Sequence, residues 1–364
     1  MNILFTSDLS GMGGGETSLI NICNVLKENN RITVICGCSG TLVEILNNLG
    51  IKTYIVEYRN KLKLVQNMST IRRIIIKEHI EVIHNNDPLT SVIFYYSTIG
   101  IKRKNYWTCH GQWYNFGFIK IILIKRANSH IFCVSTKVEE SLKSMGFKRT
   151  SVTYLGIPLF KYENAESSHL RKEFSINDNE FLIGAIGRFQ KIKGQLKLVE
   201  AVQMLVREKE NITCLLIGGC VYNNNEEIEY LTEIKDYVNK HNLNDKVLFI
   251  GERSDIPNIM HELNLLVVPS YNESFGMVAI EALASGLPVV STPNDGVSEI
   301  LDYHKDFVAE TNDAIGLQKV IASYMSSIKT QEFAHVFANQ KKSTYDINTI
   351  AKKYMNIFSE TGGK

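Results

Sequence analysis

Short apolar runs alternate with helical stretches of about 10 to 15 residues along the whole chain, and this alternation limits the fold more than any other feature. Asn2 to Asp8, Arg31 to Cys36, Phe181 to Gly187, Leu215 to Gly219, Val247 to Gly251 and Leu263 to Val268 read as buried strands. Strands buried on both faces belong to parallel sheets, and parallel neighbours must be joined by a crossover, which the helices supply. The chain is therefore read as α/β. At 364 residues it is long enough for two domains, each with its own core. Pro158 and the polar run Glu163 to Ser168 interrupt the pattern, so the join is placed at Gly156 to Ser175.

In doubly wound domains, ligands sit beyond the carboxyl ends of the strands. Two such ends in the second half carry chemistry. Phe181–Gly187 runs into Arg188, and Lys193 and Gly194 follow on the turn before a helix from Leu196 to Val206. Gly187 allows close approach to backbone, Arg188 offers a planar fork to phosphate oxygens, and Lys193 offers a mobile charge. Leu263–Val268 leads through Glu273, Ser274, Phe275 and Gly276 into a helix from Met277 to Ser285. The amides that open this helix, at Met277 and Val278, suit an anion. Glu273 and Glu281 flank that turn and would repel a bare anion. They suit an anionic ligand that also carries hydroxyls, with a sugar on one side of a diphosphate and a ribose on the other. Taken singly, each motif is also explained by solvated turn or helix-surface charges.

The Glu273-to-Glu281 segment resembles the Glu-x7-Glu signature of the retaining family 4 glycosyltransferases, and Gly187-Arg188 with Lys193-Gly194 resembles their diphosphate clamp. The resemblance covers nearly the whole chain and is strongest from Gly184 to Glu299. It implies the GT-B fold, two Rossmann-like domains with parallel sheets facing across a cleft. Residues 1–156 with a crossover helix in 346–364 would form the acceptor side, and residues 157–345 the nucleotide-sugar side. It further implies that Glu273 contacts donor-sugar hydroxyls and Glu281 the ribose. Arg253, in the turn after Val247–Gly251, falls among the donor-binding positions. Backbone near that turn would read the base, and Gly296-Val297-Ser298-Glu299 either forms a last donor loop or is a helix start with no ligand. The implied donor is a nucleotide-diphosphate sugar, UDP-linked in preference to GDP-linked, with no further cofactor and no metal.

The first half opens on a glycine loop, Ser10 to Gly15. A dinucleotide fingerprint needs Gly-x-Gly-x-x-Gly and an acid at the end of the second strand; the spacing here differs and the strand ends at Cys36 without one, so NAD is not expected. Gly13-Gly14-Gly15-Glu16 instead resembles the Gly-Gly-x-Glu loop of the glycosyltransferases, which approaches donor and acceptor. His84 and His110 end apolar strands. Thr108-Cys109-His110-Gly111 resembles the family's donor-sugar contact, which places His110 with Arg188, Lys193 and Glu273 in the catalytic set and leaves His84 as a lining residue. Leu155 stands where the family often has Asn, so no polar role is carried over there.

The formal charge of +2 hides an asymmetry: residues 1–156 hold 19 Lys and Arg against 10 Asp and Glu, and the remainder 21 against 28. A basic half suits an anionic surface or acceptor. Its cations group at Arg59, Lys61 and Lys63, at Arg72, Arg73 and Lys77, and at Lys102 to Lys104. Phe116 to Arg126 is aromatic and aliphatic with a cationic end, and reads either as an interfacial helix or as a helix under the sheet. No aromatic-basic platform for nucleic acid accompanies it. No apolar run reaches the roughly 18 to 20 residues of a spanning helix, and no signal sequence precedes the first strand. Seven cysteines without a Cys-x-x-Cys fit reduced thiols. The expected protein is a cytoplasmic glycosyltransferase, peripheral at the inner face of a membrane, acting on a glycan or lipid-linked acceptor. Another GT-B enzyme, an epimerase or phosphorylase, or a catalytically silent binding partner are the alternatives.

Overall fold

The computed structural model describes every residue except 9–11, 59, 112–115, 167, 209–210, 221–224, 302–304, 327–341 and 361–364. Ser10, Gly11 and Arg59 thus lie outside the described residues. The chain divides into two compact units, Met1–Ile157 with Thr344–Lys364, and Pro158–Ser343.

The first unit holds strands β1 (Asn2–Ser7), β2 (Arg31–Cys36), β3 (Lys52–Ile55), β4 (Val82–Asn85), β5 (Lys104–Cys109), β6 (His130–Cys133) and β7 (Thr150–Val152). They form one parallel sheet in the order β3-β2-β1-β4-β5-β6-β7. Helices α1 (Gly14–Leu26), α2 (Thr41–Asn48), α3 (Leu64–Lys77), α4 (Pro88–Ser97), α5 (Phe118–Ala127) and α6 (Thr136–Ser144) make the crossovers. Alternation along β1 sorts the two faces. Ile3 and Phe5 pack with α1, α2 and the C-terminal helix Ile347–Glu360, whereas Leu4, with Ile35 and Ile83, packs with α3 and α4. The C-terminal helix buries Ile347, Ile350, Ala351, Tyr354 and Phe358, an apolar stripe at helical spacing.

The second unit has strands β8 (Phe181–Ile186), β9 (Ile212–Ile217), β10 (Val247–Gly251), β11 (Leu265–Val268) and β12 (Val289–Ser291), parallel in the order β10-β9-β8-β11-β12. Its helices are α7 (Leu159–Glu163), α8 (Leu170–Glu173), α9 (Gln195–Arg207), α10 (Asn225–Lys240), α11 (Ile256–Glu262), α12 (Met277–Ala284), α13 (Asp295–Ile300) and α14 (Ala314–Ser326). Ile183 and Ala185 of β8 meet Leu198, Val202, Ile234, Leu317 and Ile321 in one core.

Three local expectations change. The interrupted stretch after Pro158 is folded, as α7 and α8, because Leu159, Tyr162 and Leu170 find apolar partners that the polar residues around them conceal. The glycine loop, read as running to Gly15, gives way to the first helix already at Gly14, so that Gly14 and Gly15 are part of its first turn. Phe116–Arg126, read as either interfacial or under the sheet, forms a helix with two faces: α5 packs beside α4 through a side that buries Ile124 and Ala127, and leaves Phe118, Ile119 and Ile122 exposed.

Candidate active site

Strand order reverses in the second unit between β8 and β11, which lie side by side and send their chains to opposite sides of the sheet. Such a switch point opens a crevice at the carboxyl ends of the two strands. The loop 187–194 leaves β8 there and the loop 269–276 leaves β11 there. They are tied together. Lys193 Nζ lies 2.5 Å from Glu273 Oε1, which also accepts from Ser270 Oγ at 3.0 Å. The backbone of Tyr271 donates to Ile192 O at 2.8 Å.

Glycine makes this approach feasible. Gly194 has φ 69°, a left-handed conformation, and a Cβ there would stand 2.1 Å from Pro269 O. Gly276 has φ 90° and caps α12 without a side-chain hydrogen bond, so the helix opens on bare amides at Met277 and Val278. Ser274 and Phe275 carry the chain to that point, with Phe275 buried against α13. Gly187, at φ 155°, faces open space where a Cβ would meet nothing within 4 Å. Arg188 follows it, its carbonyl held by Gln195 Nε2 at 2.7 Å.

Glu281 lies one turn along α12 from Met277, on the same helical face. Burial raises its carboxyl above the usual range, opposed by a hydrogen bond with the Tyr162 hydroxyl and by nearby Lys161. Tyr162, on α7, is itself raised by burial and by the carboxylate beside it. Nothing in the sequence marks Tyr162, because its partner lies far along the chain.

A second support was equally hidden. Lys197, 3% exposed in the first turn of α9, places its ammonium 3.7 Å over the Tyr271 ring and hydrogen-bonds Asn312 Oδ1. Asn312 Nδ2 in turn donates to Tyr271 O at 3.3 Å and Pro293 O at 3.2 Å. Burial lowers the Lys197 ammonium to about 8, against the attraction of Asp313 and Glu200. The loop bearing Glu273 is thus held from below as well as by Lys193. Thr292 Oγ1 adds a bond to Ser270 O at 2.6 Å, and the Gly296 amide one to Glu273 O at 2.8 Å. The segment Gly296–Glu299 therefore supports the Glu273 loop through backbone, and Asn294 caps α13 at the Val297 amide.

Arg253, expected among the donor-binding positions, is ion-paired within the second unit. Its guanidinium donates to both oxygens of Asp255 at 2.8 Å and to those of Glu173 at 2.8 and 3.1 Å. Asp255 is correspondingly diverted from capping α11.

In the first unit, Gly14 and Gly15 open α1, and His110 follows β5. A Cβ on Gly15 would lie 3.9 Å from His110 Cε1, so the structure brings these expected site residues together. His110 Nε2 is buried with no hydrogen-bond partner among the described residues, and burial lowers the imidazole to about 4. His84 is a correction. It is 1% exposed, bonded through Nε2 to Thr108 Oγ1 at 2.7 Å, and ringed by Phe5, Phe132, Tyr354 and Phe358. Burial lowers it to about 3. It is a neutral core histidine, and two of the four aromatics that enclose it, Tyr354 and Phe358, come from the C-terminal helix.

Comparison with known proteins accords with this arrangement. The model for glycosyl transferases group 1 matches residues 166–343, and that for glycosyltransferase family 4 matches residues 12–159. N-acetyl-alpha-D-glucosaminyl L-malate synthase of Bacillus anthracis is 29% identical over 158 residues, 43% of this chain and 39% of that protein. The capsular polysaccharide biosynthesis glycosyltransferase CapM of Staphylococcus aureus is 27% identical over 232 residues, 59% of each chain. These matches span between 39% and 59% of the curated relatives' length. Among solved structures, HepE of Anabaena in complex with UDP superposes with a TM-score of 0.86 at 21% identity, covering 99% of this chain and 100% of its own. The same protein has also been solved with UDP-glucose. Two parallel α/β units, the two family models and these relatives agree: the chain belongs to the family 4, group 1 glycosyltransferases of GT-B fold.

Proposed function

We propose that the protein transfers a sugar from a UDP-linked donor, with retention of anomeric configuration, to a glycan or lipid-linked glycan in surface polysaccharide or glycolipid synthesis. The observation that carries this reading is the Lys193–Glu273 pair across the β8/β11 switch point, beside Arg188 and the uncapped start of α12. The donor's diphosphate takes the place of Glu273 opposite Lys193 and accepts from the amides of Met277 and Val278. Glu273 is then released to accept from sugar hydroxyls, and Glu281 from the ribose. Tyr162 holds Glu281 in place for that contact.

As the glycosidic C–O bond breaks, the electron pair leaves with the β-phosphate, and charge grows where Arg188, Lys193 and the helix amides point. Groups fixed there before reaction stabilise the departing phosphate more than the intact donor, which is the condition for a rate gain. The acceptor hydroxyl attacks from the side the phosphate leaves, and its proton passes to the leaving oxygen. His110, neutral by burial, is suited to accept or donate a hydrogen bond to the donor sugar and carries no charge against it. The UDP assignment is supported by HepE, a fold neighbour solved with UDP and with UDP-glucose; the polysaccharide assignment by CapM. An acceptor built on a cytoplasmic-face lipid fits the basic first unit.

Calorimetric titration with UDP, GDP, ADP and NAD tests the reading. UDP is expected to bind and to weaken in Glu281→Ala by roughly tenfold or more, the loss of one or two hydrogen bonds to a charged group. Binding of NAD alone contradicts it.

A further inference from the structure

In a parallel sheet with crossover helices, every helix starts at the carboxyl edge of the sheet. Helices α3, α4 and α5 form one layer on the face of Leu4, Ile35 and Ile83, α4 packing on both its neighbours. Their starts should be among the most polar places on the unit. They are not. Leu62 and Val65 at the start of α3 are 98% and 83% exposed, Phe118 and Ile119 at the start of α5 are 78% and 73% exposed, and Leu89 of α4 stands between them, also exposed. Ile122 extends the α5 cluster by one turn.

The charge on this layer has one sign. Neither α3, α4 nor α5 contains an Asp or Glu, while α3 carries Arg72, Arg73 and Lys77 and α5 carries Lys120, Lys125 and Arg126. Lys63 adds an exposed cation beside Leu62. From residue 59 to 127 there are 12 Lys and Arg against 3 acids, Glu78, Glu81 and Asp87. Those three are occupied elsewhere: Glu78 by Lys52 and Arg31, Glu81 by the Asn2 amide, and Asp87 by the amides that open α4.

We propose that the carboxyl-edge end of the α3–α4–α5 layer docks on an anionic lipid bilayer, with Phe118, Ile119, Leu62 and Val65 entering the headgroup region and Lys63 and Lys120 meeting lipid phosphates. Exposed apolar side chains flanked by lysines, with cations outnumbering the acids at this edge, Glu57 and the α4 cap Asp87, are the composition of an interfacial surface. A second copy of this chain fits worse, since a two-fold contact would set these cations against their own equivalents. No described helix is long and apolar enough to cross a membrane, so the contact is peripheral. His110 and the Gly14–Gly15 start of α1 lie at the same edge of the same sheet. Docking here holds that edge toward the lipid surface, where a lipid-linked acceptor is presented. This last step rests on the transferase reading; the surface itself does not.

Flotation of the full chain with phosphatidylglycerol-containing vesicles and with pure phosphatidylcholine vesicles tests it. The protein is expected to float with the anionic vesicles only, and to be released by salt. Each cation near the headgroups contributes about fivefold, so Lys63→Glu/Lys120→Glu is expected to weaken binding by at least about tenfold. Phe118→Ser/Ile119→Ser should weaken it comparably, with melting temperature and UDP affinity unchanged in both variants. Equal flotation with both vesicle types, absence of flotation, or variants that float like the parent would overturn the proposal. So would light scattering that shows a dimer dissolved by Phe118→Ser/Ile119→Ser while flotation persists. UDP titration of the same samples reports separately on the transferase reading.

Discussion

Arg188, Lys193, Glu273 and Glu281 were legible because each sits just after an apolar strand or one turn into the next helix. Strand-then-turn is a local pattern, and a charged residue at its end has few structural duties. The partners that hold these residues were not legible. Tyr162, Lys197 and Asn312 reach the site from segments whose own patterning gives no hint of it, and Lys197 reads as one more solvated helix lysine. His84 failed for the same reason in reverse. Its strand-end position suggested a lining residue, but Tyr354 and Phe358 close over it from the far end of the chain. That burial has a pH consequence. Native His84 and His110 stay neutral down to about 3 and about 4, while in the unfolded chain both protonate near the ordinary 6.5. Below 6.5 the unfolded state binds more protons, so stability falls with pH, by up to about 1.4 kcal/mol per pH unit for each histidine. The loss ends when the native pKa is reached. Urea unfolding from pH 7 to 4.5 should show this slope, and His84→Gln should reduce it. An unchanged slope in that variant would contradict the assignment of His84 as a buried neutral group.

Elements were read well where period and punctuation agreed. The strands at β1, β2 and β8 to β11 lie where apolar runs placed them, with ends shifted by up to three residues. The short helices α7 and α8 were lost in a polar stretch, since four or five residues give periodicity no room. The loops around the switch point are ordered by glycine as much as by charge. At Gly194, a side chain must adopt φ 69° and come within 2.1 Å of Pro269 O. Gly194→Ala should cost about 1–2 kcal/mol from the left-handed backbone alone, and more from the displaced carbonyl. Because that carbonyl precedes Glu273 in the same loop, UDP affinity should fall together with the urea midpoint. A variant as stable as the parent, or destabilised with intact UDP affinity, would show that the loop tolerates movement.

At the scale of the molecule, the two units follow from length and alternation, and the C-terminal helix is integrated into the first unit through Ile347, Tyr354 and Phe358. The charge asymmetry seen in composition becomes a located surface only once the sheet order places α3, α4 and α5 in one layer. Sequence could not show which of their residues are exposed. The central claim is that the second unit binds a nucleoside diphosphate through Arg188 and Lys193 at the β8/β11 switch point. The most direct test is titration of UDP into the parent, Arg188→Ala and Lys193→Ala proteins by calorimetry, with melting temperatures measured alongside. Each cation contributes a charge-assisted bond to phosphate of about 1.5–3 kcal/mol, so each variant should bind roughly 10- to 150-fold more weakly while remaining folded. Parent-like UDP affinity in both folded variants would contradict the account.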